Sequence, residues 1–328
     1  MGIDAQRGFV LWAADAQAAG RPVELIIRDD RSNPRLACQH VRDLLDREGI
    51  DLLAGPYSSG LTRAVAPIAE ARGVVLWNHG GAADDLHRRG YRTLVSILTP
   101  ASRYLVPALR WVPQGPVLIL RRRASGFAAA VAAGAEAEAR RLGRAVSLAP
   151  YPVTSAALEA HVKRMSTTPP ALLLAAGRLT DDIALAQALR RSGLVVRSVL
   201  VAAPVRAFRR ALGAAADGFT GPSQWVETAK TAPDFGPTSR VFARRFRARF
   251  GVAPDYPAAQ AYATGLVMTR CVERVGCADQ ELLRVIAAAL DCTTFFGRFS
   301  IDRDTGMQMA HDVHLVQWVR GTQRVIPL

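Results

Sequence analysis

The chain has 328 residues and a formal charge of +14, from 42 Lys and Arg against 28 Asp and Glu. That length exceeds an ordinary single core, so two α/β lobes are expected, and no apolar stretch approaches the roughly 18 to 20 residues of a membrane span. Such a charge excess raises an anionic partner, but the only lysines are Lys163 and Lys230 and the arginines are spread along the whole chain. This is the pattern of GC-rich codon use rather than of a binding patch, and no nucleic-acid partner is expected.

In chain order, "RPVELIIRDD" (21–30) reads as a strand, and "NPRLACQHVRDLLDREG" as a helix with Asn33 as N-cap, Pro34 at its first position and Gly49 as stop. "IDLLAGP" is the next strand, "GLTRAVAPIAEARG" the next helix and "VVLWN" the next strand. A second series starts at "PVLIL" (116–120), with helices over "FAAAVAAGAEAEARRLG", near 155–166 and over "DDIALAQALRRSG". Between them lie the strands "AVSLAP", "ALLLAAG" and "VRSVLVAAP". Alternation of this kind predicts βαβ units and two parallel sheets. Helices near 238–250, 257–275 and 279–290 follow, the first burying Val241, Phe242, Phe246 and Phe250 beneath the arginines of "RRFRARF". A closing β region carries Gly321 at a hairpin turn.

None of the four cysteines, Cys38, Cys271, Cys277 and Cys292, stands in a C-x-x-C pair, so no metal or redox site is expected. A disulfide among the last three is left open. "GPYSSG" (55–60) falls at a strand-to-helix corner, where α/β ligands bind. Neither Ser58 nor Ser59 fits G-x-S-x-G, no lysine completes a phosphate loop, and the dinucleotide pattern G-x-G-x-x-G is absent. Two readings of the corner are left: a plain helix cap, or a cup for a carboxylate, in which the free amides and positive end of a helix assist a serine hydroxyl.

Asp29-Asp30 with Asn33-Pro34, then "GPYSSGLT" leading into "APIAE", a Gly-Gly-Ala turn and "RRGYRT" resemble the first lobe of type I periplasmic binding proteins of the leucine/isoleucine/valine-binding group. "PDYPAAQAYATGLVMTRCVERVG" and "FFGRFSIDRDTGM" extend the resemblance over nearly the whole chain. It implies an α/β fold of two Rossmann-like lobes with parallel sheets, joined by three hinge crossovers and closing on a small solute. Lobe one would be residues 1–115 and 226–297, lobe two 116–225 and 298–328. Such proteins are receptors rather than enzymes, carry no cofactor, and present their closed form to the permease subunits of an ABC importer. A periplasmic monomer is therefore expected.

The resemblance also implies site residues. Ser59 matches the family serine by its spacing to Thr62, and Gly80, Gly81 and Ala82 fall on the carboxylate-binding turn, although the family threonine is replaced by Ala82 or Ala83. Ser58 and Tyr57 belong to the same corner. In the second lobe the family's acidic residue and aromatic give way to "RRRASGF", which makes Arg122, Ser125 and Phe127 candidates. Arg178 stands where an aromatic is common, and Trp225 lies near the second crossover. Arginines pair well with carboxylates and poorly with ammonium groups, so the expected solute is a small organic acid, amide or amino-acid-like molecule rather than leucine itself. His79 reads as a structural hydrogen-bond partner. The second reading of function is a cytoplasmic ligand-sensing regulator on the same fold.

The opening "MGIDAQRGFVLWAADAQAAG" resembles the family's first helix, with the preceding strand apparently missing and no secretion signal before it. Met1 is therefore expected to be internal to a longer reading frame that supplies both.

Overall fold

The computed structural model describes residues 1–152, 155–229 and 231–328, without the side chain at 155. The chain forms two compact units, Met1–Pro100 with Glu227–Asp312 and Ala101–Val226 with Val313–Leu328, and so passes between them three times. In chain order the first unit begins with α1 (Gly2–Ala18), α2 (Pro34–Asp46), β1 (Leu53–Ala54), α3 (Ser59–Ala71), β2 (Leu76–Asn78) and β3 (Leu94–Ser96). The second unit follows with α4 (Val106–Trp111), β4 (Val117–Arg122), α5 (Gly126–Arg141), β5 (Val146–Tyr151), α6 (Ser155–Thr167), β6 (Leu172–Ala176), α7 (Leu179–Ser192), β7 (Ser198–Leu200), α8 (Arg206–Leu212) and β8 (Thr220–Ser223). The first unit resumes with α9 (Ser239–Phe250), α10 (Tyr256–Val275), α11 (Gln280–Ala289), β9 (Cys292–Thr294) and β10 (Gly297–Phe299). β11 (His314–Val319) and β12 (Thr322–Val325) close the second.

The first unit's main sheet has the order β1-β2-β3, all parallel. Its core joins Leu53, Leu76 and Leu94 to Val41 and Leu44 of α2 and Leu61, Val65 and Ile68 of α3. The second unit's sheet runs β12-β11-β8-β7-β6-β4-β5, parallel from β4 to β8 and closed by an antiparallel hairpin. The hairpin turns on Arg320 and Gly321, both at positive φ (49° and 76°), as a tight two-residue turn demands. Local signals hold at the helix ends too: the Asn33 carboxamide oxygen accepts from the amides of Arg35 (2.9 Å) and Leu36 (3.4 Å).

Two expectations are corrected, and the question of a disulfide is answered. The unit boundaries fall at 100 and 312 rather than 115 and 297. Helix α4 packs on α5 in the second unit, and the stretch 302–312 is tied to the first by Ser96 N–H donating to the Gly306 carbonyl (3.0 Å). The run 21–30 forms no strand and joins no sheet, with Ile26 37 % and Ile27 44 % exposed. Strand-forming side chains do not make a strand without a neighbouring backbone to pair with, and β1 pairs only with β2. All four cysteines are free thiols, and burial pushes Cys271 and Cys292 up to about 12.

Candidate functional site

In the first unit the corner between β1 and α3 is built on Ser58, the helix cap, whose Oγ accepts from Leu61 N–H (3.3 Å). Ser59, 8 % exposed, directs its Oγ to the amide of Ala83 (3.0 Å). This bond fastens the loop after β2 to the first turn of α3. Gly80 and Gly81 make the approach sterically feasible: a Cβ on Gly80 would lie 2.6 Å from Tyr57 Cα, and one on Gly81 2.5 Å from Thr62 Oγ1. Their amides were expected to face a ligand, but both donate to Asn78 Oδ1, at 3.2 and 2.7 Å. The Asn78 Nδ2 group donates to the Gly81 carbonyl (2.7 Å) and to Ser96 Oγ (2.6 Å).

Among the described residues the amides of Ser59, Gly60 and Ala82 have no partner here. Two of these lie at the positive end of a 13-residue helix, and the third lies in the loop bonded to that helix. The Ser58 hydroxyl, which accepts from Leu61, still has its own proton to donate. The cluster is a donor-only surface suited to an anionic or carbonyl oxygen. Tyr57 stands beside it, its hydroxyl 3.4 Å from that of Tyr256 and its ring 6.2 Å from the His79 ring. His79 also meets Phe9 edge to face at 5.1 Å. Burial lowers its pKa to about 4, and its Nδ1 has no hydrogen-bond partner, so ring contacts rather than the expected hydrogen bond seat it.

In the second unit Arg122 ends β4, 7 % exposed. Its Nη1 donates to both carboxylate oxygens of Asp181, at 2.8 and 2.7 Å. Asp181 also accepts from the backbone amide of Arg178 (2.9 Å), closing the first turn of α7, and from Tyr151 Oη (3.4 Å). A Cβ on Gly177 would lie 2.3 Å from the Tyr151 hydroxyl, so glycine there admits the tyrosine to the cluster. Burial, with the charges of Asp182 and Asp181, pushes the Tyr151 phenol upward. Burial also raises the Asp182 carboxyl well above the usual carboxylate range, although Ala202 N–H donates to it (2.6 Å).

The structure therefore brings Arg122 and Arg178 together through Asp181, but in a closed ion pair. The guanidinium groups of Arg123 and Arg178 have no partner among the described residues, and both side chains are exposed. Ser125 caps α5 by accepting from Ala128 N–H (3.2 Å). Phe127 packs edge to face on Tyr104 (5.5 Å), whose hydroxyl accepts from Gln224 Nε2 (2.6 Å). Trp225 is 5 % exposed, with its carbonyl taken by Ser223 Oγ (2.7 Å). Sequence reading missed the roles of Asn78 and Asp181. An asparagine ending a strand before Gly-Gly signals local backbone bonding, and an acid three residues after Arg178 has capping-box spacing. No group of side chains suited to holding a metal ion occurs among the described residues.

Residues 1–323 match the periplasmic binding protein family, and the chain belongs to it. Its fold is also that of solved receptors. A leucine-binding protein LivK from Thermotoga maritima superposes with a TM-score of 0.86 at 17% identity, covering 99% of this chain and 93% of that one. The branched-chain amino acid transporter substrate-binding protein LivJ from Streptococcus pneumoniae, in complex with isoleucine, gives 0.85 at 18% identity, covering 99% and 94%. An ABC-transporter solute-binding protein from R. palustris, in complex with benzoate, gives 0.80 at 17% identity, covering 98% and 90%.

Proposed function

We propose that the chain is the solute receptor of an ABC-type importer, working outside the cytoplasm as a monomer that delivers its cargo to membrane permease subunits. Its solute is a small organic acid, amide or amino-acid-like molecule whose carboxylate or carbonyl oxygen is held at the start of α3. The observation that carries this reading is the set of unpartnered amides at Ser59, Gly60 and Ala82 around the Ser58 hydroxyl. Leucine, isoleucine and benzoate, the cargoes of similar receptors, share a carboxylate and little else. On the second unit, positive field at the strand ends comes from Arg123 and Arg178, because Asp181 neutralises Arg122.

A thermal-shift panel of aliphatic and aromatic carboxylates, amino acids and amides tests the reading. A cognate solute at 100 times its dissociation constant stabilises by about 2.7 kcal/mol, and matched alcohols should give no shift. A panel in which no carboxylate or amide raises the melting temperature would overturn it.

A further inference from the structure

We infer that His87 is a positioning residue: through Ser96 and Asn78 it holds the loop that carries the Ala82 amide. The geometry is a continuous chain of bonds inside the first unit. His87 Nδ1 lies 2.9 Å from the Thr305 carbonyl, His87 Nε2 lies 3.0 Å from Ser96 Oγ, and Ser96 Oγ lies 2.6 Å from Asn78 Nδ2. Asn78 Oδ1 then accepts the Gly80 and Gly81 amides. Asn78 and Ser96 face each other in register as the last residues of β2 and β3, and both are fully buried, as is most of His87.

The direction of every bond is fixed from one end. A carbonyl only accepts, so His87 Nδ1 carries a proton, and in the neutral ring Nε2 is then an acceptor. Ser96 must donate to it, which leaves the Ser96 oxygen to accept from Asn78 Nδ2. The carboxamide oxygen is thereby turned to the two glycine amides. The far end is anchored as firmly. Asp302 Oδ1 accepts from the amide (2.8 Å) and hydroxyl (2.7 Å) of Thr305. The same turn is pressed onto β3 so closely that a Cβ on Gly306 would lie 1.7 Å from the Leu94 carbonyl oxygen.

A second proton on His87 breaks this order. Nε2 becomes a donor, Ser96 receives two donors, and its own hydroxyl proton has no acceptor. The charges facing the ring are Asp84 and Asp85 from its own turn and Asp302 from the opposing one, with Arg63 of α3 and Arg89 paired to Asp85. Burial outweighs the acids and keeps His87 below its ordinary pKa, so the neutral relay holds at pH 7 and fails only on acidification.

The inference takes its meaning for solute binding from the proposed function, but its measurement needs no solute. Amide hydrogen exchange of the solute-free protein is followed by NMR at Gly80, Gly81 and Ala83, with Phe242 as the reference for global opening, and 15N shifts report the His87 tautomer. At pH 7 the ring should show a protonated Nδ1 and an unprotonated Nε2. His87→Leu should speed exchange at Gly80 and Gly81 by roughly fivefold to tenfold more than at Phe242. His87→Gln, whose amide can both donate to Thr305 and accept from Ser96, should restore most of the protection and remove its loss at low pH. A His87 ring protonated at Nε2 at pH 7, or glycine amides accelerated no more than Phe242 in His87→Leu, would overturn the inference. Failure of the protein to bind any carboxylate would count against the receptor reading alone.

Discussion

Removing the Arg122 guanidinium should destabilise the second unit rather than merely retune a binding site. Arg122 and Asp181 are 7 % and 9 % exposed and joined at 2.7 and 2.8 Å. Arg122→Met leaves a buried carboxylate whose remaining partners are one backbone amide and a weakly placed phenol at 3.4 Å. Breaking a buried pair from one side costs about 3 to 5 kcal/mol, whereas replacing both charges is often close to neutral. The double variant Arg122→Met with Asp181→Asn keeps an oxygen for the Arg178 amide and removes the stranded charge. Native-state hydrogen exchange at Ile119 of β4 and Leu174 of β6, neighbours in the sheet, reads the cost without assuming that the chain unfolds in one step. Exchange in Arg122→Met should be about 10² to 10⁴ times faster than in the parent, and most of that loss should be recovered in the double variant. An acceleration below tenfold, or a double variant that exchanges as fast as the single, would refute the reasoning.

Three further outcomes follow from the same structure. Because burial lowers His79 from 6.5 to about 4, the unfolded chain binds the extra proton first. The contribution of His79 is then complete above pH 6.5 and lost as pH falls toward 4, by about 3 kcal/mol. Denaturation curves of the parent and His79→Phe should diverge over that window, and parallel curves would contradict the assignment. Ser59→Ala strips the acceptor from the fully buried Ala83 amide, so it should cost about 1 to 3 kcal/mol of stability as well as weakening solute binding; a melting temperature equal to the parent's would place that amide's partner elsewhere. Gly134→Ala improves helix propensity by up to about 1 kcal/mol, yet its Cβ would lie 1.9 Å from the Ser102 carbonyl oxygen; the net result in urea unfolding should be a loss of about 1 to 3 kcal/mol, and any gain would show that the packing of α5 there is loose.

What the sequence disclosed follows from how far each signal reaches. Helix caps and turns are decided by residues within four positions, which is why Asn33-Pro34, Ser58 and the Gly321 hairpin stand where they were expected, whereas Ser125, read as a ligand residue, proves to be a cap. The strand expected at 21–30 depends on a neighbour that no local pattern reveals, and its side chains alone left it unpaired. Arg122 was read as a free cation because its partner stands 59 residues away. The glycine turn was expected to offer its amides to a ligand, but which of them stay available was decided by Asn78 and Ser59, whose side chains consume three of them.

The same limit of reach bears on the charge excess. Counted along the sequence, +14 suggests a surface that attracts anions. In the structure many arginines face acids that are distant in the chain, as in Arg28–Glu48, Arg63–Asp85, Arg72–Asp46, Arg191–Glu159 and Arg247–Glu227. Pairs that exposed add little stability each, but they cancel the local field over α2, α3 and α6. Even on α9, the most arginine-dense helix, Arg245 and Arg247 are committed to Asp15 and Glu227, while Phe242 and Phe246 anchor the opposite side in the core. The excess is therefore distributed as scattered single charges rather than as one anion-attracting patch.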